Sequence, residues 1–278
     1  MSRMPTTFLV VPQWQGSGSP RRLQISDGAV AIRAGLPAAQ VTDVEVPGEP
    51  GEPGAGVRGY RALREVRDRH ARLLAGIDGA AITIGGDCGV ELAPIGHATR
   101  RAGGDLAVVW LDAHADLNTP ASSPSGAFHG MVLRAALGDG APGLVAEPAA
   151  APRPERVVLA GTRALDPEEA AYIAAHGMRR LPPAELRPEA LVAAVEATGA
   201  SSVFVHVDLD VLDPAELRGI GCPEPAGVST TALVDAIAAV RARFPLAGAG
   251  ITEFTPWSVA ETAGDLATIR RILGALTG

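Results

Sequence analysis

Cysteine is nearly absent: the 278 residues carry two, Cys88 and Cys222, far apart and in no CxxC pair. Two isolated thiols build neither a disulfide framework nor a thiol-rich zinc site, and a reducing compartment is expected. Aromatic residues make up 4% of the chain, so the core must be assembled from Ala, Val and Leu packed in helices and strands. Long apolar runs are missing too. The N-terminal segment holds four consecutive apolar residues, Phe8 to Val11, before Pro12. That is too few for a signal peptide or a membrane span, and a cytoplasmic protein without membrane association is expected. A positive balance is also lacking. The net charge is −7 with the basic residues scattered, which argues against a nucleic-acid partner.

What is present reads as one α/β domain over residues 1–278, long for a single unit but within its range. Strand-like runs at 8–11, 80–84, 106–111, 157–160, 203–207 and 246–251 alternate with Ala-rich helical stretches. Such alternation specifies a mostly parallel central sheet with helices on both faces. A helix is expected over 27–34, ended by Gly35, and an amphipathic one over 57–75 with His70 on its surface. Residues 48–54 and the Pro and Ala-rich 141–154 read as surface loops.

Residues 106–119 organise the rest. A buried strand runs to Leu111, and then Asp112, His114 and Asp116 arrive at every second position. An extended continuation would send all three to one side, where carboxylates and an imidazole suit a divalent ion such as Mn²⁺. Asp208 and Asp210 repeat the spacing, while Asp213 before Pro214 makes a turn. Four carboxylates exceed the needs of one ion and suit two that share bridging oxygens and activate a water between them. His206, two residues before Asp208, falls on the same face and supports the ligands without joining them. His97 and His176 have no evident role. Cys88, Asp112 to Asp116, Arg163 with Asp166, Asp208 with Asp210, and Glu253 each follow a strand-like run. They should therefore face one crevice at the carboxyl ends of the strands.

These segments resemble the arginase and agmatinase (ureohydrolase) family. The resemblance rests on Gly85-Gly-Asp-Cys88, Asp112-Ala-His-Ala-Asp116, Ser125-Gly-Ala-Phe-His-Gly130, Asp208-Leu-Asp-Val-Leu-Asp-Pro214 and Thr252-Glu-Phe-Thr-Pro256. It implies a three-layer α/β/α fold, trimers or hexamers, and hydrolysis of a small guanidino substrate by a hydroxide bridging two Mn²⁺ ions. By the same resemblance Asp112 and Asp208 bridge the ions, Asp116 completes one, and His114 with Asp210 completes the other. Cys88 gives the first ion its remaining ligand. His129 transfers a proton and Glu253 pairs with the guanidinium. Asn118, Ser123 and Ser125 take the α-carboxylate of an amino acid, Asp166 and Glu169 its α-amino group, and Cys222 lies near the guanidinium. L-Arginine to L-ornithine and urea is the leading reaction.

Two departures stand out. Ala127 replaces the Asn usual in arginases, and Cys88 replaces the usual His. A thiolate with four carboxylates brings a formal charge of about −5 against +4 from two ions, which weakens the ions as Lewis acids. The same Cys marks a minority branch, the Nω-hydroxy-L-arginine amidinohydrolase of D-cycloserine biosynthesis. Conversion of Nω-hydroxy-L-arginine to ornithine and hydroxyurea is therefore the alternative. Beyond it stand agmatine, guanidinobutyrate and a catalytically silent amino-acid-binding relative.

Overall fold

Runs that are apolar at every position have no face that tolerates water, so they must be covered on both sides. Leu106-Ala-Val-Val-Trp-Leu111 is such a run, and all of it is buried. A computed structural model describes residues 6–258 and 262–278 of the chain. Among them lie eight strands, β1 (Thr7–Val11), β2 (Val41–Asp43), β3 (Ala81–Gly85), β4 (Leu106–Leu111), β5 (Val157–Ala160), β6 (Arg179–Leu181), β7 (Ser202–Asp208) and β8 (Leu246–Thr252). They form one sheet in the order β2-β1-β3-β8-β7-β4-β5-β6, and every pairing is parallel.

Helices cover both faces. The helices α1 (Arg22–Arg33), α6 (Pro188–Glu196), α7 (Thr230–Arg243) and α8 (Thr262–Thr277) pack on Val109, Leu111, Val205 and Val207. The alternate residues Val108, Trp110 and Phe204 face α2 (Tyr60–Leu74), α3 (Leu92–Arg101), α4 (Val132–Ala136) and α5 (Pro167–Ala175). This is the three-layer α/β/α arrangement expected from the alternation. The parallel sheet places every strand's carboxyl end on one rim, and the insertion of β7 and β8 between β3 and β4 opens the topological switch where ligands bind.

The sequence-based expectations need correction in four places. Strands β2 and β6 add to the expected set, and as three-residue edge strands, Val-Thr-Asp and Arg-Arg-Leu, they carry no apolar run to mark them. Helix α1 begins at Arg22 rather than near Asp27. Asp27-Gly28 looks like a helix start, but Gly28 is needed inside α1, where a Cβ would lie 1.9 Å from the Phe254 carbonyl oxygen. His70 is buried rather than on the surface, because it continues the buried stripe Ala62, Leu63, Val66 and Leu74. Burial lowers its pKa to about 3. Lastly, the ligand segments are not extended. β4 stops at Leu111, and Asp116 has a left-handed φ of 52°. Asp210 lies in the 3-10 turn Leu209–Val211. Turn geometry rather than strand pleat brings these side chains together.

Candidate metal centre

The four central strands, in the spatial order β3-β8-β7-β4, deliver the site. Cys88 starts a 3-10 turn after β3 whose cap, Asp87, accepts from Gly89 N. Glu253 follows β8, Asp208 ends β7 and Asp112 follows β4. Their potential donor atoms form three overlapping groups, each with all atoms within 4.8 Å: Cys88, Asp112 and His206; Cys88, Asp208 and Glu253; Asp112, His114 and Asp210. Five of the six expected ligands thus meet. Asp116 enters none of the groups, although it is buried and lines the same cleft.

Backbone and indole N–H groups aim the carboxylates. Asp112 accepts from His114 N at 2.6 Å and Trp110 Nε1 at 3.0 Å. Asp210 accepts from Ala113 N at 3.0 Å, and Asp208 from Asp210 N at 2.7 Å. His114 Nδ1 lies 3.0 Å from Asp210 Oδ2, and Cys88 Sγ lies 3.0 Å from Asp208 Oδ2. Packing this much negative charge together opposes ionisation. Burial and neighbouring carboxylates raise the pKa of Asp116 and Asp208 and push that of Asp210 up to about 6. Burial and Asp208 likewise push the Cys88 thiol up. Burial acts the same way on Asp112, but its contacts with His114 and His206 outweigh that and hold it low.

The donor set fits divalent cations. Four aspartates within the core have few fixed positive partners, and the buried oxygens Asp116 Oδ2 and Glu253 Oε2 have no hydrogen bond among the described residues. Such groups persist in a protein interior when cations offset them. Backbone strain marks the same place: Asp116 and Glu253 are two of four non-glycine residues with positive φ among the described residues. Each such conformation costs roughly 1–3 kcal/mol and is held by its surroundings.

A cleft of about 590 Å³ opens above this cluster. It is lined by His114, Asp116, Asp208 and Asp210, by His129 and Glu253, and by Asn118, Ser123, Ser125, Asp166, Glu169 and Cys222. Cys88 and Asp112, 1% and 0% exposed, lie beneath its floor. Asn118 Nδ2 donates to Asp166 Oδ2 at 2.8 Å. Glu169 accepts from Leu117 N and Asp166 N, both at 2.9 Å, closing a capping box on α5. Both of its oxygens are therefore engaged, and it meets the wall without a free carboxylate oxygen. Ser123 and Ser125 sit at the exposed mouth, their hydroxyls 3.4 Å apart. Burial raises the Cys222 thiol to about 12, so it meets the cleft as a neutral group. His129 stands between two partners. Its Nε2 accepts from Gly18 N at 3.2 Å and its Nδ1 is 3.3 Å from Glu253 Oε1. Burial lowers the His129 pKa, but hydrogen bonding to Glu253 outweighs it and the pKa is raised.

Several residues about the site escaped the sequence. Glu224 lines the cleft, with Oε1 3.9 Å from His114 Nε2. Arg163 carries no sequence signal beyond its place after a strand. Its guanidinium donates to the carbonyls of Gly161, Asp210, Val211, Leu212, Glu224 and Pro225 at 2.8–3.4 Å. It thereby ties the ligand turn to the loop bearing Cys222. A guanidinium fork satisfies that many acceptors and an ammonium does not. Arg163→Ala is therefore expected to cost about 2–4 kcal/mol in unfolding free energy, with Arg163→Lys recovering less than half. Denaturant titration of both variants checks this.

Glu91 was also missed, since no local pattern marks a buried glutamate. It is 0% exposed and its Oε1 lies 3.5 Å from His206 Nδ1. Room for it comes from Gly250, where a Cβ would stand 1.5 Å from Glu91 Oε1. Gly250→Ala should destabilise the fold by about 1–3 kcal/mol through overpacking. Adding Glu91→Ala should recover most of the loss in the thermal midpoint.

The fold and the site together define a parallel α/β protein with a carboxylate-rich candidate metal centre at its strand ends. More particularly, the chain belongs to the arginase family, whose sequence profile matches residues 17–271. It is 37% identical over 155 residues to the arginase of Bacillus subtilis (strain 168), covering 53% of this chain and 52% of that protein. The match thus spans about half the length of this curated relative. The Bacillus caldovelox arginase structure superposes with a TM-score of 0.85 at 25% identity, over 99% of this chain and 98% of that one. Proclavaminate amidino hydrolase from Streptomyces clavuligerus, at 23% identity and a TM-score of 0.75 over 98% and 89% of the two chains, shares the fold. Among the described residues, no helix is long and apolar enough to cross a membrane.

Proposed function

We propose that this chain is a metal-dependent amidinohydrolase acting on a guanidino amino acid, with L-arginine, giving L-ornithine and urea, as its first candidate substrate. The observation that carries the reading is that one cleft brings together three parts: the donor groups, the His129–Glu253 pair and a polar wall of Asn118, Ser123, Ser125 and Asp166. Two divalent ions, when bound, supply the Lewis acidity that makes water a nucleophile at neutral pH. Cys88, Asp112, His114, Asp116, Asp208 and Asp210 would hold them, and Mn²⁺ suits the oxygen-rich part of that set.

The protein's own groups do the rest. Glu253 Oε1 accepts from Cys88 N at 3.1 Å, whereas its buried Oε2 has no hydrogen bond among the described residues. That oxygen is free to receive a guanidinium N–H. With Nε2 accepting from Gly18 N, the proton of neutral His129 lies on Nδ1, beside Glu253. Water adds to the guanidino carbon, the bond from that carbon to the side-chain nitrogen breaks, and the proton that the water loses replaces the one His129 Nδ1 hands on. The departing amine, seated near Glu253, takes its proton from His129 Nδ1. Asn118, Ser123 and Ser125 then serve the α-carboxylate, and Asp166 with Glu169 the α-ammonium.

Cys88 favours a second reading, Nω-hydroxy-L-arginine as substrate with hydroxyurea as product, because the thiolate lowers the Lewis acidity at the buried end of the site. Initial rates on arginine, hydroxy-arginine, agmatine and guanidinobutyrate, for wild type and Cys88→His, test both. The proposal expects turnover of the first two and little of the last two. Faster hydrolysis of agmatine would overturn the amino-acid reading. We further propose that the protein works as a symmetric trimer or hexamer in the cytoplasm, with the small guanidino substrate as its partner.

A further inference from the structure

We propose that His206 is itself a metal ligand, completing with Cys88 and Asp112 a buried metal position distinct in chemistry from the one formed by His114, Asp112 and Asp210. This rests on the reading that the centre holds two divalent ions.

The geometry puts His206 Nε2, already in hydrogen-bonding contact with Cys88 Sγ, within reach of an ion shared with Cys88 and Asp112. His206 Nε2 lies 3.7 Å from Asp112 Oδ2 and 3.8 Å from Cys88 Sγ. A hydrogen bond from a ring N–H to a carboxylate spans about 2.7–3.0 Å, so 3.7 Å is too long for one. Bonds of about 2.0–2.3 Å place two donors on one ion no more than roughly 4.4 Å apart, and both separations fall inside that limit. The ring is also fixed in place. It stacks on Trp110 with centroids 3.6 Å apart and planes at 18°.

Behind the ring stands Glu91, fully buried, with neither oxygen in a hydrogen bond among the described residues and Oε1 facing His206 Nδ1 at 3.5 Å. A carboxylate facing Nδ1 favours the tautomer with the proton on that side and Nε2 as the lone-pair donor, the arrangement by which proteins orient metal-bound imidazoles. Gly250 clears the space for it, and Gly250 is the β8 partner of His206 in the sheet register. Glu91, Gly250, Trp110 and Cys88 thus make one structural unit around this imidazole.

The family pattern supplies an imidazole from position 88. Here position 88 gives sulfur, and β7 gives the imidazole from below. The buried position therefore offers S, N and O donors, a mixture that favours borderline ions such as Zn²⁺, Co²⁺ or Fe²⁺ over Mn²⁺. The position at the cleft keeps only N and O donors. The two positions should load different ions.

The test uses the full chain stripped of metal and reloaded with Co²⁺, Zn²⁺ or Mn²⁺ alone. Wild type is expected to bind two Co²⁺ per chain, one showing a thiolate charge-transfer band, and X-ray absorption should report sulfur and imidazole nitrogen on that ion. His206→Ala should weaken the same ion by about 100-fold or more and change its ligand-field spectrum. Glu91→Gln should keep the band and weaken binding by about 10–100-fold. Zn²⁺ should displace Mn²⁺ from one position far more readily than from the other. Wild type that binds two ions, neither bonded to His206, would overturn this inference alone, and that measurement does not depend on the variants folding. Wild type that binds no divalent ion would overturn the two-ion reading and this inference with it.

Discussion

Asp112→Asn is expected to abolish metal binding at both positions and to lower guanidine hydrolysis by at least about 10³-fold. Asp112 belongs both to the group with Cys88 and His206 and to the group with His114 and Asp210. Its loss takes the shared donor from both at once. The side chain keeps its shape, and an amide oxygen still accepts from His114 N or Trp110 Nε1, so the fold should survive. The diagnostic is the thermal midpoint. Ligands that bind only the native state stabilise it by mass action, so added divalent ions should raise the wild-type midpoint and leave that of Asp112→Asn unmoved. A variant that still takes up two ions would show that Asp112 serves no shared role.

His129→Asn should have the next largest effect, a fall in kcat of about 10²–10⁴-fold with metal content unchanged. The ring lies among none of the donor groups, and its two nitrogens are committed to Gly18 N and Glu253 Oε1. Asparagine keeps a polar group in the cleft but cannot hand over a proton and take it back. KM should change little, because Glu253 and the polar wall remain. A loss under tenfold, measured at saturating substrate, would remove His129 from proton transfer.

Much of this was legible in the chain because parallel sheets bury both faces. Uninterrupted apolar runs such as those of β4 and β5 coincide with the observed strands at both ends, and the chemistry follows directly behind them. Edge strands are the opposite case. In β6, Arg-Arg-Leu is stabilised by its pairing with β5, and nothing within it marks a strand. The ligand residues were identified by a period of two that the structure does not use. Asp112 and Asp208 sit where strands stop, and Asp116 and Asp210 reach the site through a left-handed residue and a 3-10 turn.

His206 was placed on the right face by its spacing from Asp208, since both lie in β7. Its partners come from elsewhere, Glu91 from the 3-10 turn after β3 and Gly250 from β8, and could be found only from the topology. Arg163 escaped for a similar reason, because its acceptors are backbone carbonyls and carry no side-chain signature.

Product release decides whether the chain is a metal-dependent amidinohydrolase for a guanidino amino acid. Purified protein is stripped with a chelator, reloaded with Mn²⁺ or Co²⁺, and assayed on L-arginine and Nω-hydroxy-L-arginine for ornithine. Ornithine should form from at least one of them, at a rate that rises with ion occupancy and vanishes on chelation. Protein carrying two bound ions that releases no ornithine from either substrate, and no amine from any guanidine, would contradict the claim and mark the chain as a binding protein.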